Sequence, residues 1–97
     1  METKVVHCKQ EYYDILIDRS TIWGNPYREG VDGTRAECIE KYRNYILNTP
    51  ELLGQLYTLE GKILGCWCKP KACHGDVLVE LTNKLKNVKI VRKWWNI

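Results

Sequence analysis

The chain of 97 residues lacks any apolar run approaching the ~18 residues that a membrane span needs, so a spanning helix is not expected. Its opening stretch, "METKVVHCKQ", lacks the architecture of a secretory signal. The expected compartment is therefore the cytoplasm, where thiols stay reduced. Five cysteines, an odd count, also speak against a complete disulfide framework. There are no repeats, no low-complexity segments and no linker, which leaves one domain over 1–97 with a single modest core. No Ser-His-Asp order, no paired carboxylates and no phosphate loop of the P-loop kind appear. Acidic residues are missing from 81–97, which hold five basic side chains, whereas residues 1–80 carry 10 basic and 12 acidic ones.

That basic end includes two tryptophans. The segment 84–95 could meet the phosphate backbone of a nucleic acid. The plainer reading is a solvated strand edge and tail.

What is present reads as alternating strands and helices. "KVVHC" (4–8) and "YDILID" (13–18) are short β-branched and aliphatic runs bounded by polar residues, hence strands. "STIWGNPYREGVDG" (20–33) is punctuated by Gly24, Asn25, Pro26, Gly30 and Gly33 and reads as a long loop, a kind that often carries function. Thr34 followed by Glu37 is a capping box, and Ile39, Tyr42 and Ile46 form the stripe of an amphipathic helix flanked by Cys38 and Tyr45. Thr49, Pro50 and Glu51 open a second, shorter helix that ends near Gly61. "KILGCWC" is apolar on both faces, as a central covered strand is. In it Leu64, Cys66 and Cys68 point one way, and Ile63, Gly65 and Trp67 the other. A helix from about His74 to Leu85 buries Val77, Leu78, Leu81 and Leu85, and "NVKIVRKWW" reads as a last strand. The order β-β-α-α-β-α-β predicts a small α/β domain, with a Rossmann-like central sheet flanked by helices.

The chemistry concentrates in "GCWCKPKACHGDVL" (65–78), which holds three of the five cysteines and one of the two histidines. A buried strand ends there, and a helix opens near Cys73 and His74. Helix starts present free N–H groups and partial positive charge, and Lys69 and Lys71 add to it, so an anion such as phosphate would fit. The same field could make Cys73 a thiolate and a catalytic nucleophile; otherwise it simply packs. Soft thiolates and imidazole also suit Zn²⁺, with Cys66, Cys68, Cys73 and His74 as ligands. The C-x-C-x₄-C-H spacing is not a pair of C-x₂-C knuckles, and adjacent residues such as Cys73 and His74 normally diverge. A second constellation, "DRSTIWGNPYREG", brings Arg19 at a strand end, Trp23 as a stacking face, Gly24 for close backbone approach and Asn25 to read a polar edge. An ordered loop anchored by a tryptophan would use the same residues.

"GNPY", "GTRAECIEKYRNYIL", "PELLGQL" and above all "LGCWCKPKACHGDVLVEL" resemble the family called domain of unknown function 4326, found in phages, bacteria and some larger proteins. The likeness runs over about 5–85. It implies that Arg19, Gly24, Asn25, Pro26, Arg35, Cys66, Trp67, Cys68, Pro70, Cys73, His74, Gly75 and Asp76 belong to the family pattern, and it brings a signature without a mechanism. The family usually reads Gly-Arg-Pro where this chain has Asp18, Arg19 and Ser20. If the chain is phage-encoded, the compartment is the host cytoplasm. The helix opening "HGD" also loosely resembles the "GAD" opening of Rossmann-like nucleotide-binding domains, an analogy of fold only.

The leading expectation is a domain that binds a nucleotide or nucleotide derivative between the 20–33 loop and the 66–76 turn. The binding set is Arg19, Trp23, Gly24, Asn25, Arg35, Trp67, Lys69, His74, Gly75 and Asp76. Arg19 and the helix-start N–H groups would hold phosphate, Trp23 or Trp67 would stack a ring, and Asn25 and Asp76 would fix orientation. A zinc-stabilised protein or nucleic-acid interaction module is the alternative, and a thiol enzyme using Cys73 the third reading.

Overall fold

The structure, a computed structural model, describes residues 2–85. The expected last strand and the nucleic-acid segment beyond Leu85 lie outside the described residues.

Three short strands, β1 (Lys4–His7), β2 (Ile15–Leu16) and β3 (Ile63–Cys66), form one parallel sheet in the order β1-β3-β2. The register pairs Val5 and Ile15 with Leu64, so the run with apolar residues on both faces is the central strand. β2 and β3 are shorter than their apolar runs. The chain turns away after Leu16 and after Cys66 once the ladder partners are used up, although the Ile17 N–H still reaches the Gly65 carbonyl at 2.9 Å.

The connection from β1 to β2 carries no helix. Parallel strands normally need a crossover of about a dozen residues or more, yet residues 8–14 suffice here. Tyr13 lies flat against β3 at Gly65, where an added Cβ would sit 2.7 Å from its ring. The missing side chain is what lets the connection pass so close.

α1 (Arg35–Leu47) begins as expected. Thr34 Oγ1 accepts the Glu37 N–H (3.2 Å), and Glu37 Oε1 accepts the Thr34 N–H (2.9 Å), completing the capping box. The buried stripe is Cys38, Tyr42 and Ile46, with Ile39 and Tyr45 half-buried beside it. α2 (Pro50–Leu53) is one turn, and a 3₁₀ turn (Leu56–Leu59) follows in place of a continuous helix to Gly61. Thr49 makes no side-chain cap on α2. Its hydroxyl donates instead to the Tyr45 carbonyl at the frayed end of α1 (2.5 Å), where unpaired carbonyls need donors.

α3 (His74–Leu85) matches its expected bounds and buries Val77, Leu78 and Leu81. It packs on β1 and on α1, and Arg43 of α1 pairs with Glu80 of α3 at the surface. The core joins Ile17, Tyr42, Ile46, Leu56, Leu64 and Leu78, all fully buried. Each such side chain contributes about 1.5–3 kcal/mol of burial free energy. No helix of the described residues is long and apolar enough to cross a membrane.

Candidate functional site: a thiol-lined cleft at the strand ends

Because the three described strands are parallel, their carboxyl ends share one edge, the edge at which open α/β sheets place ligands. A cleft of about 260 Å³ opens there, walled by the loop after β2, the start of α1 and the turn between β3 and α3. The two constellations expected from sequence therefore face each other. Arg19, Asn25, Arg35, Trp67 and His74 line the cleft, together with Cys66, Cys68 and Cys73. Trp23, Gly24, Lys69, Gly75 and Asp76 do not.

The loop wall is held by its own polar groups. Asp18 accepts the N–H (2.9 Å) and the hydroxyl of Ser20, and its other oxygen accepts the Trp67 indole N–H at 3.1 Å. These bonds, the Ser20 hydroxyl foremost, hold the Asp18 carboxyl below its ordinary range. Arg19 donates Nε to the Asn25 carbonyl (2.9 Å) and Nη2 to the Tyr27 carbonyl (3.2 Å), so it braces the loop as well as facing the cleft. Asn25 accepts the Tyr27 N–H at 2.9 Å, an Asx turn ahead of a fixed backbone.

Trp23, expected to offer a stacking face, is a core residue with 4% exposure. A large apolar ring gains more by burial than by display. Gly24 serves close backbone approach, but to its own chain: a Cβ there would lie 2.5 Å from the Arg19 Cα and 2.7 Å from the Asp18 carbonyl oxygen.

Arg35 bridges all three walls. Its Nη1 donates to the Ala72 carbonyl (2.9 Å) and its Nη2 pairs with Glu29 (3.2 Å), while the Cys68 side chain, foremost, and the Glu29 charge raise its pKa. Trp67 is 52% exposed, with the Lys9 ammonium 5.4 Å from its ring centre and the His7 ring edge-on.

The helix start differs from expectation. Asp76 turns back to accept the Cys73 N–H (3.1 Å) and binds the Lys69 ammonium (2.5 Å). A carboxylate of the chain already occupies the positive end of α3, and Lys69 is neutralised beside it. Gly75 packs the helix on the sheet, since a Cβ would come within 2.8 Å of Ile17 Cδ1 and Val5 Cγ2.

Cys66 and Cys73 are 1% and 2% exposed, and their sulfurs touch at 3.3 Å. The proton of the pair favours Cys73. Hydrogen bonding from Cys73, helped by the N–H groups of Cys68 and Lys69, lowers the pKa of Cys66, and the same contact raises that of Cys73. The expected nucleophile Cys73 is thus the donor, and Cys66 the better thiolate. The Asp76 charge also disfavours a Cys73 anion.

His74 is half-buried, edge-on to Tyr42 at 5.0 Å, and its Nε2 lies 2.6 Å from the Ile17 carbonyl. A carbonyl only accepts, so Nε2 carries the hydrogen. Burial keeps the ring neutral. Cys73 and His74 diverge as neighbours do, one toward Cys66 and the other toward Ile17. Among the described residues no three His, Cys, Asp or Glu side chains converge as a metal site requires, so the zinc set Cys66, Cys68, Cys73 and His74 is not assembled.

Sequence reasoning missed Asp18, Tyr27, Glu29, Cys38, Ile39 and Ala72 as cleft residues. Asp18 had a signal, an acid directly before Arg19 at a strand end; Tyr27 and Glu29 had only their place in the long loop.

No solved structure matches the chain. It is 36% identical over 86 residues to the "Uncharacterized 12.4 kDa protein in nrdA-td intergenic region" of Enterobacteria phage T4, covering 84% of this chain and 79% of that one. It is 33% identical over 67 residues to "Uncharacterized protein R718" of Acanthamoeba polyphaga mimivirus, covering 61% and 51%. The match of residues 3–84 to the family described as "Domain of unknown function (DUF4326)" takes in the whole cleft, and the chain belongs to that family.

Proposed function

We propose that the cleft binds a phosphate-bearing small molecule, a nucleotide or nucleotide derivative. The observation that carries the reading is that Arg19 and Arg35 reach one cleft from separate elements at the carboxyl ends of β2 and β3. A guanidinium has five N–H groups. The contacts to Asn25, Tyr27, Ala72 and Glu29 leave donors on both arginines while fixing their planes. Such preorganised forks suit a phosphate. Phosphate sits on these forks and not on the start of α3, which Asp76 caps. Trp67 supplies the ring face. Asp18 and Glu29 are acceptors for ribose hydroxyl or ring amino groups, which inorganic phosphate lacks. A Rossmann-like reading of the sheet belongs to this proposal: α3 opens behind the end of β3 and packs through a glycine, as dinucleotide-binding folds do.

The test is thermal shift of the full chain against nucleoside mono- and diphosphates, nucleosides and inorganic phosphate, for wild type, Arg35→Lys and Trp67→Ala. Nucleotides should stabilise the wild type, by about 2.7 kcal/mol at 100 times the dissociation constant. Arg35→Lys should weaken binding by about tenfold or more, since an ammonium cannot reproduce the fork. If no compound shifts the wild type, or the shift is unchanged in both variants, the reading is wrong.

A further inference from the structure

We propose that Cys66 and Cys73 form a reactive dithiol that closes to a reversible intramolecular disulfide by exchange with a small-molecule disulfide. The inference is independent of the nucleotide reading, because it needs only the two sulfurs and a route to them.

The geometry carries it. Among the described residues this is the one sulfur–sulfur contact, at 3.3 Å, and all five cysteines are free thiols. A disulfide bond is about 2.05 Å long. The two atoms therefore need to approach by roughly 1.3 Å more. Cys66 ends a strand and Cys73 immediately precedes a helix, so each is held by a regular element. Both residues have little exposed surface, yet both form the floor of the cleft, which gives a small reagent its path.

The roles follow from the hydrogen bonding. The two sulfurs share one hydrogen bond, and their surroundings lower the pKa of Cys66 and raise that of Cys73, so Cys66 is the sulfur that more readily gives up its proton. In the first step the Cys66 thiolate attacks one sulfur of the reagent R–S–S–R. The reagent S–S bond breaks, a Cys66–S–S–R bond forms, and R–S⁻ leaves with the electron pair. In the second step the Cys73 thiol gives up its proton to that thiolate and attacks Cys66 Sγ, expelling the second R–S⁻. The protein dithiol is oxidised by two electrons and the reagent is reduced to two thiols. Cys68 lines the same cleft, but the sulfur contact is between Cys66 and Cys73.

The experiment incubates the full chain in 2-mercaptoethanol and hydroxyethyl disulfide at graded ratios, blocks remaining thiols with N-ethylmaleimide and digests with trypsin. Cleavage after Lys71, with Lys69 protected by Pro70, puts Cys66 and Cys73 on separate peptides, 63–71 and 72–84. The expected product is these two peptides joined with loss of two hydrogens and carrying one N-ethylmaleimide on Cys68, with Cys8 and Cys38 alkylated as well. The link should persist in Cys68→Ser and vanish in Cys66→Ser. Fragmentation of the wild-type product assigns the bond to Cys66 or Cys68 directly, so the answer stands even if a variant does not fold. A link through Cys68, or mercaptoethanol adducts on separate cysteines with no link at any ratio, overturns the proposal.

Discussion

The hydroxyl of Tyr42 donates to the main-chain carbonyl of Trp23 across 2.6 Å, inside the core. With the bond from Asn25 Nδ2 to the Cys38 carbonyl (3.4 Å), it fastens the long loop, and with it the Arg19 wall of the cleft, to α1. Burial, the largest influence on it, drives the Tyr42 phenol far above its ordinary pKa, so the donor is never lost at working pH. Tyr42→Phe keeps the ring packing and strands a buried carbonyl. The expected cost is about 1–3 kcal/mol, read as a lower midpoint in urea unfolding with an unchanged slope.

Thr34→Ala should cost about 1 kcal/mol by removing the acceptor for the Glu37 N–H. For a domain of this size that is roughly 4–8 °C in Tm. The Glu37→Ala variant removes the reciprocal half of the box, and the double variant should fall short of the sum, because either single change already breaks the reciprocal pair. An unchanged Tm in both single variants would contradict the cap.

Gly24→Ala inserts a methyl group against the Arg19 Cα and the Asp18 carbonyl. Backbone cannot step aside as a side-chain tip can. The expected loss is about 1–3 kcal/mol, as for other overpacked sites. Because the clash falls on Arg19 itself, the affinity for any anion in the cleft should drop as well. Full stability together with full binding would show that the loop is seated differently.

Acid should destabilise the domain in two stages. Burial, with Arg19 adding to it, lowers the pKa of His74, while the hydrogen bond to the Ile17 carbonyl and then the Asp76 and Asp18 charges oppose. The unfolded ring takes a proton near pH 6.5, so stability is full above that and falls as pH drops through the lowered folded value. The carboxyls of Asp14, Asp18 and Glu37 are also lowered, chiefly by the Ile63 N–H, the Ser20 hydroxyl and the Thr34 N–H. Their contribution is present above about pH 4 and is lost below it, as the folded forms protonate. Tm measured from pH 8 to 3 should therefore bend first near 6.5 and again below 4. His74→Asn should abolish the first bend and keep the second; a first bend that survives the substitution would belong to another group.

Local physics made part of this protein legible in its sequence. The start of α1 and the span of α3 follow from a capping box and a 3.6-residue apolar stripe, both of which act within one or two turns. The central position of β3 follows from a run with no polar face. Partner choice was out of reach of such short-range signals. Trp23 reads equally as a stacking platform or a loop anchor until the core that receives it exists, and Gly24 and Gly75 announce close approach without saying to what. At the helix start, the nearby lysines and the dipole favour a thiolate at Cys73. Folding instead brings Cys66, seven residues earlier, into contact with it, and lets Asp76 occupy the helix end. The pKa of Cys66 falls and that of Cys73 rises because the two sulfurs meet, and only the tertiary structure decides which sulfurs meet.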